Sequence, residues 1–141
     1  MPPPVHAQSF RIVMSEVDVA QIHFTTLFRW MDRGLTEWLA SAGHPFTRLL
    51  TEGPGIPIVD ARVSISGRVM LDDVLEIRTW VAAPGRSSFR SRHLFLRDGA
   101  AVARGELVHV CVDRDTRATL SVPAWLRERA ALDEWSPDTA P

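Results

Sequence analysis

Apolar residues recur along this chain in two rhythms. From Thr25 to Ala42 they fall three and four positions apart, so that Leu27, Met31, Leu35, Trp38, Leu39 and Ala42 share one broad face while Arg29, Arg33 and Glu37 lie mostly off it. That spacing predicts a helix of about 18 residues. Thr25 and Thr26 are its N-cap candidates, and Gly43 followed by Pro45 predicts its end. Elsewhere the period is two. Val59, Ala61, Val63, Ile65 and Val69 alternate with Asp60, Arg62, Ser64, Ser66 and Arg68, the pattern of a half-buried strand. Phe10, Ile12 and Met14 place an earlier strand over 9–15. Three further strand-like runs cover 74–81, 87–96 and 101–112, and Asp98-Gly99 between the last two is a hairpin signal. Pro123 can open a short final helix.

The expected order is one strand, one long helix, then four strands joined by short turns. The helix needs cover for its apolar face and the sheet has one to offer. The solution is an α+β layer in which a curved antiparallel sheet of about five strands wraps one long central helix. Such a sheet leaves an edge strand unpaired, so a second copy of the chain is expected against it. The folded domain is expected over 9–131, with 1–8 and 132–141 as flexible tails rich in proline or polar residues.

Composition narrows the field of functions. The 141 residues suit one domain, and 45% hydrophobic with 23% charged residues is ordinary for a globular protein. A formal net charge of −1 argues against a dedicated nucleic-acid binder. The first residues, Met1-Pro2-Pro3-Pro4, carry no signal-peptide pattern, and no stretch approaches the ~20 apolar residues of a membrane span. A cytoplasmic protein with no membrane partner is therefore expected. Cys111 is the only cysteine and sits in an apolar run, which reads as a buried structural thiol. His44, His93 and His109 are spread without metal-ligand spacing, so no metal site is expected.

Several stretches, in order, resemble a known family. Ser15-Glu16-Val17-Asp18-Val19-Ala20-Gln21-Ile22-His23-Phe24, then Leu27-Phe28-Arg29-Trp30-Met31-Asp32, is similar to the signature of hot-dog thioesterases of the 4-hydroxybenzoyl-CoA thioesterase family. Gly55-Ile56-Pro57-Ile58-Val59, Leu71-Asp72-Asp73-Val74-Leu75-Glu76-Ile77, Arg86-Ser87-Ser88-Phe89 and Val122-Pro123 also resemble that pattern, which spans 10–126. Gln21 stands where the family usually has glycine, and the spacing from Asp18 to Trp30 is one residue short.

The resemblance implies a hot-dog fold and an acyl-CoA thioesterase that needs no cofactor, coenzyme A being part of the substrate. It makes Asp18 the catalytic carboxylate, nucleophile or general base, with Glu16 as the fallback. Thioester hydrolysis also needs donors for the oxyanion. The start of the long helix offers backbone amides around Phe24, Thr25 and Thr26. His23 and Gln21, between carboxylate and helix, can donate to the carbonyl or orient water. Arg33, inside the helix, lies near a place where some relatives carry a reaction-assisting arginine and most carry an acid. The acyl pocket is expected at a subunit interface, drawn from Phe24, Phe28, Trp30, Ile58 and Asp60. Arg86, Ser87 and Ser88, with Arg117 and with help from Arg90 and Arg92, form the expected site for the nucleotide phosphates. A homodimer or homotetramer is the expected assembly. The alternatives are a thioesterase for acyl chains on a carrier protein, a dehydratase of hydroxyacyl thioesters, and a non-catalytic acyl-thioester binding module.

Overall fold

A computed structural model describes residues 6–82 and 84–131. In chain order its elements are β1 (His6–Arg11), β2 (Val17–Asp18), β3 (Gln21–Ile22), α1 (Phe24–Ser41), α2 (Phe46–Glu52), β4 (Ile58–Ile65), β5 (Val74–Ala82), β6 (Ser88–Arg97), β7 (Ala100–Val110) and α3 (Ala124–Ala131). Five strands make one antiparallel sheet in the order β1-β5-β6-β7-β4, and β2 with β3 forms a separate small hairpin. Residues 1–5, 83 and 132–141 lie outside the described part, and with them most of both expected tails.

The meander β5-β6-β7 follows from short connections, which permit only antiparallel neighbours. Asp98 and Gly99 are both left-handed, at φ 51° and 79°, as the twist of a two-residue hairpin demands. The stripe read on α1 is the one it buries. Leu27 and Met31 pack with Ile12, Leu75, Ile77, Phe95, Val102 and Leu107, while Leu35, Trp38 and Leu39 join Val81, Phe89, Cys111, Val122 and Leu126. Gly34 and Gly105 let helix and sheet approach, since a Cβ on either would run into the Thr79 hydroxyl or the Met31 sulfur.

The structure departs from the expected elements at four places. First, β1 begins at His6, opposite Thr79, and stops at Arg11 instead of running from Ser9 to Ser15. The Glu16 carboxylate accepts the Val13 N–H at 3.0 Å and folds residues 14–16 into a 3-10 turn. Second, the hairpin β2-β3 follows that turn and is too short to leave a periodic signal. Third, α2 occupies part of what reads as a plain connection; only Leu49 in it is buried, so it has no stripe to detect. Fourth, β4 is one of the two edge strands, and the face expected to be half-buried is open: Val59 is 61% exposed and Ile65 52%. Helix α1 is too narrow to cover the last strand, and of β4 only Val63 packs on the core.

Candidate active site

Asp18 ends β2 and pairs directly with Gln21 across the turn Val19-Ala20. Both turn residues are left-handed, at φ 57° and 91°, without being glycine. For the β-branched Val19 this is strained backbone, worth about 1–3 kcal/mol. Gln21 itself lies in strand conformation, so the absent family glycine is not where the strain sits. Neighbouring backbone holds the hairpin in place: the Leu71 N–H donates to the Ala20 carbonyl and the Ile22 N–H to that of Val69, each at 2.8 Å.

Helix α1 starts one residue earlier than its expected caps. His23, not Thr25 or Thr26, is the N-cap: its Nδ1 accepts the Thr25 N–H at 3.3 Å and lies 2.7 Å from the Thr25 hydroxyl, and its carbonyl accepts the Thr26 N–H. An imidazole nitrogen thus does the work expected of a hydroxyl. With Nδ1 accepting, the neutral ring carries its proton on Nε2, which leaves a donor rather than a free base for the substrate. Thr26 is buried and donates its hydroxyl to the Glu16 carbonyl at 3.2 Å. His23 stacks on the exposed ring of Phe24.

Asp18, Gln21, His23 and Phe24 line one open depression of about 450 Å³, closed on the far side by Ile65 and Gly67. Four of the expected residues therefore meet. Ile58 and Asp60 do not: they lie at the opposite end of β4, roughly 20 Å from Ile65 at about 3.3 Å per residue. Phe28 and Trp30 point to the core, Trp30 being 4% exposed. Arg33 stacks over the Phe10 ring at 5.1 Å and so faces β1.

The expected nucleotide residues divide as well. Arg86 is exposed on the β5–β6 turn, which is stapled by bonds from Cys111 to Ser87, from Val122 to Arg86 and from Gly85 to Ser88. Arg90 and Arg92 are both engaged with Glu106. Arg117 sits on a separate turn at φ 65°, and among the described residues no bond joins it to Arg86. The residue missed on this turn is Arg127 of α3, whose guanidinium reaches the Gly85 carbonyl at 2.7 Å. Only the fold brings it there.

His93 and His109 are not isolated. Thr79 Oγ1 lies 3.0 Å from His93 Nδ1, His93 Nε2 3.1 Å from Ser91 Oγ, Ser91 Oγ 3.0 Å from His109 Nε2, and His109 Nδ1 3.3 Å from the Ile56 carbonyl. Burial, aided by His109, pushes His93 down to about 3. Burial also lowers His109, against the pull of the Ile56 carbonyl and Asp32. The Cys111 thiol is buried and pushed up by that burial, away from nucleophilic use. Among the described residues no group of His, Cys, Asp or Glu is arranged to hold a metal ion, and no helix is long and apolar enough to cross a membrane.

Comparison with known proteins agrees with this fold. The 1,4-dihydroxy-2-naphthoyl-CoA hydrolase of Synechococcus sp. (strain WH7803) is 28% identical over 134 residues, covering 89% of this chain and 84% of its own. The solved 4-hydroxybenzoyl-CoA thioesterase of Pseudomonas sp. strain CBS-3 superposes with a TM-score of 0.78 at 26% identity, covering 89% of this chain and 99% of that one. A mutant 4-hydroxybenzoyl-CoA thioesterase with aspartate changed to asparagine, solved with 4-hydroxybenzoyl-CoA bound, gives 0.79 at 25% identity, covering 90% and 99%. The model of the thioesterase-like superfamily matches residues 12–130, and this chain, with its hot-dog fold, belongs to that superfamily of thioester hydrolases.

Proposed function

We propose that the protein hydrolyses acyl-CoA thioesters, with Asp18 as the carboxylate that attacks the carbonyl carbon or deprotonates the attacking water. The observation that carries this reading is the single depression where Asp18, Gln21, His23 and Phe24 meet the amino end of α1. Since His23 occupies the amides of Thr25 and Thr26, the donor left for the oxyanion is the Phe24 N–H, at the first helical position where no intrahelical acceptor exists. His23 Nε2 and the Gln21 amide are further donors. In the covalent route the carboxylate oxygen bonds to carbon, the thiolate leaves and is protonated, and water hydrolyses the anhydride. In the other route water supplies that oxygen directly. Hydroxylated aryl groups are the acyl class to try first, because the relatives above are named for such substrates.

A second copy supports the acyl pocket. If two β4 edges pair antiparallel, Ile58 and Asp60 of one copy arrive beside Ile65 and the Asp18 depression of the other. That also covers the exposed Val59 and Ile65. Arg86 on the β5–β6 turn, with Arg127 of α3 bonded to the Gly85 carbonyl beside it, is the proposed site for the nucleotide phosphates.

The test is thiol release from aromatic and aliphatic acyl-CoA esters by the wild type and Asp18→Asn. The expected result is turnover that falls by about 10²–10⁴ in the variant. Full activity in Asp18→Asn refutes the role of Asp18, and turnover of carrier-bound but not CoA-bound chains refutes the choice of carrier. A single turnover in ¹⁸O-water that labels Asp18 identifies the covalent route.

A further inference from the structure

The two halves of this site come from different elements, and one residue ties them together. Asp18 stands on the β2-β3 hairpin, while the donors stand at the start of α1. Glu16 lies between them and is half-buried. Its Oε1 accepts the Val13 N–H at 3.0 Å and its Oε2 accepts the Trp30 indole N–H at 2.8 Å. Its carbonyl accepts the His23 N–H at 2.8 Å and the Thr26 hydroxyl at 3.2 Å. Four donors from the strand exit, the helix cap and the first two turns of α1 thus converge on one residue, two positions before Asp18.

We propose that Glu16 is a positioning residue that fixes the Asp18 hairpin relative to the amino end of α1. The proposal rests on the thioesterase reading above and deepens it. A carboxylate is required because both neighbours of its two oxygens are donors, and ionised oxygens accept more strongly than an amide. Glutamine has the same shape but one oxygen, so Glu16→Gln sets an NH₂ against either Val13 or Trp30. One link is lost and the hairpin moves relative to the helix. Asp18 stays present, so substrate binding through the nucleotide is kept while attack geometry is not.

The experiment measures kcat and KM on the best acyl-CoA ester for the full chain, Glu16→Gln, Trp30→Phe and the double variant, with thermal midpoints alongside. Glu16→Gln is expected to lose about ten- to hundredfold in kcat, the cost of a misplacement near 1 Å, with KM within about twofold. Trp30→Phe removes one of the links and loses less. The double variant loses less than the two single losses multiplied, because both changes act on the one Glu16 side chain and its shared bond. Losses that simply multiply, or a full kcat with only a lowered midpoint, overturn the proposal. If Glu16→Gln does not fold, Trp30→Phe decides by the same split of kcat against KM. A wild type without thioesterase activity refutes the underlying reading, whereas an active wild type with an unaffected Glu16→Gln overturns the positioning alone.

Discussion

His93 offers a prediction whose size and sign both follow from the structure. Its ring is 1% exposed and held neutral, with its pKa brought from 6.5 to about 3. The unfolded chain takes up a proton near pH 6.5 and the folded one does not, so the folded state loses stability as pH falls from 6.5 toward 3. At about 1.4 kcal/mol per pH unit the whole interval is worth about 5 kcal/mol, and about 2 kcal/mol of it is spent by pH 5. His93→Gln is the perturbation, because glutamine can accept from Thr79 and donate to Ser91 without titrating. Urea unfolding of both proteins at one concentration, at pH 7.5 and pH 5, gives the comparison. The stability advantage of the wild type over the variant shrinks by about 2 kcal/mol between the two. A gap that stays constant within about 0.5 kcal/mol refutes a buried neutral His93. The chain also has one consistent direction. The Ile56 carbonyl can only accept, so His109 carries its proton on Nδ1, Ser91 donates to His109 Nε2, His93 donates from Nε2 to Ser91, and Thr79 donates to His93 Nδ1. Nitrogen-15 shifts showing the opposite tautomer at either ring refute that order.

Three further outcomes are expected. Val19→Gly relieves left-handed strain at φ 57° and raises stability by about 1 kcal/mol in urea melts, while kcat falls because the Asp18 hairpin loosens; an unchanged melting profile counts against the strain. Gly34→Ala forces a methyl onto the Thr79 hydroxyl at the helix–sheet contact and costs about 1–3 kcal/mol, readable in the same melts; a neutral effect would show that the helix is not held that close. Val59→Lys, on a residue 61% exposed at the sheet edge, converts a dimer to monomer on gel filtration and lowers turnover with it; a monomeric wild type, or a variant that stays dimeric, contradicts the pairing of β4 edges.

What the sequence made legible is what repeats along it. The α1 stripe, the three meander strands and the Asp98-Gly99 turn are each carried by local periodicity or by one dipeptide, so reading them required no knowledge of what they pack against. The errors share a cause. Thr25 and Thr26 carry the usual capping hydroxyls, but the cap is decided by which side chain folds back over the first amides, and His23 does so because Glu16 already holds its N–H and the Thr26 hydroxyl. The contacts of Thr79 with His93 and of Ser91 with His109 join residues 14 and 18 apart along the chain and leave no local signal, because antiparallel register alone sets Thr79 opposite His93. Glu16 reads only as the fallback for Asp18 because Trp30, which donates to it, is 14 residues on and is itself buried in the core. Strand β4 carries the same lesson outward. Its alternation was legible, but alternation states that a face wants cover without stating what covers it. Among the described residues only Val63 of that β4 face meets the core, and Ile58 and Asp60 stand near the far end of the strand from the Asp18 depression. The pattern thus encodes an interface as readily as a core, and its apparent failure within the single chain is the reason to place the second wall of the site on another copy.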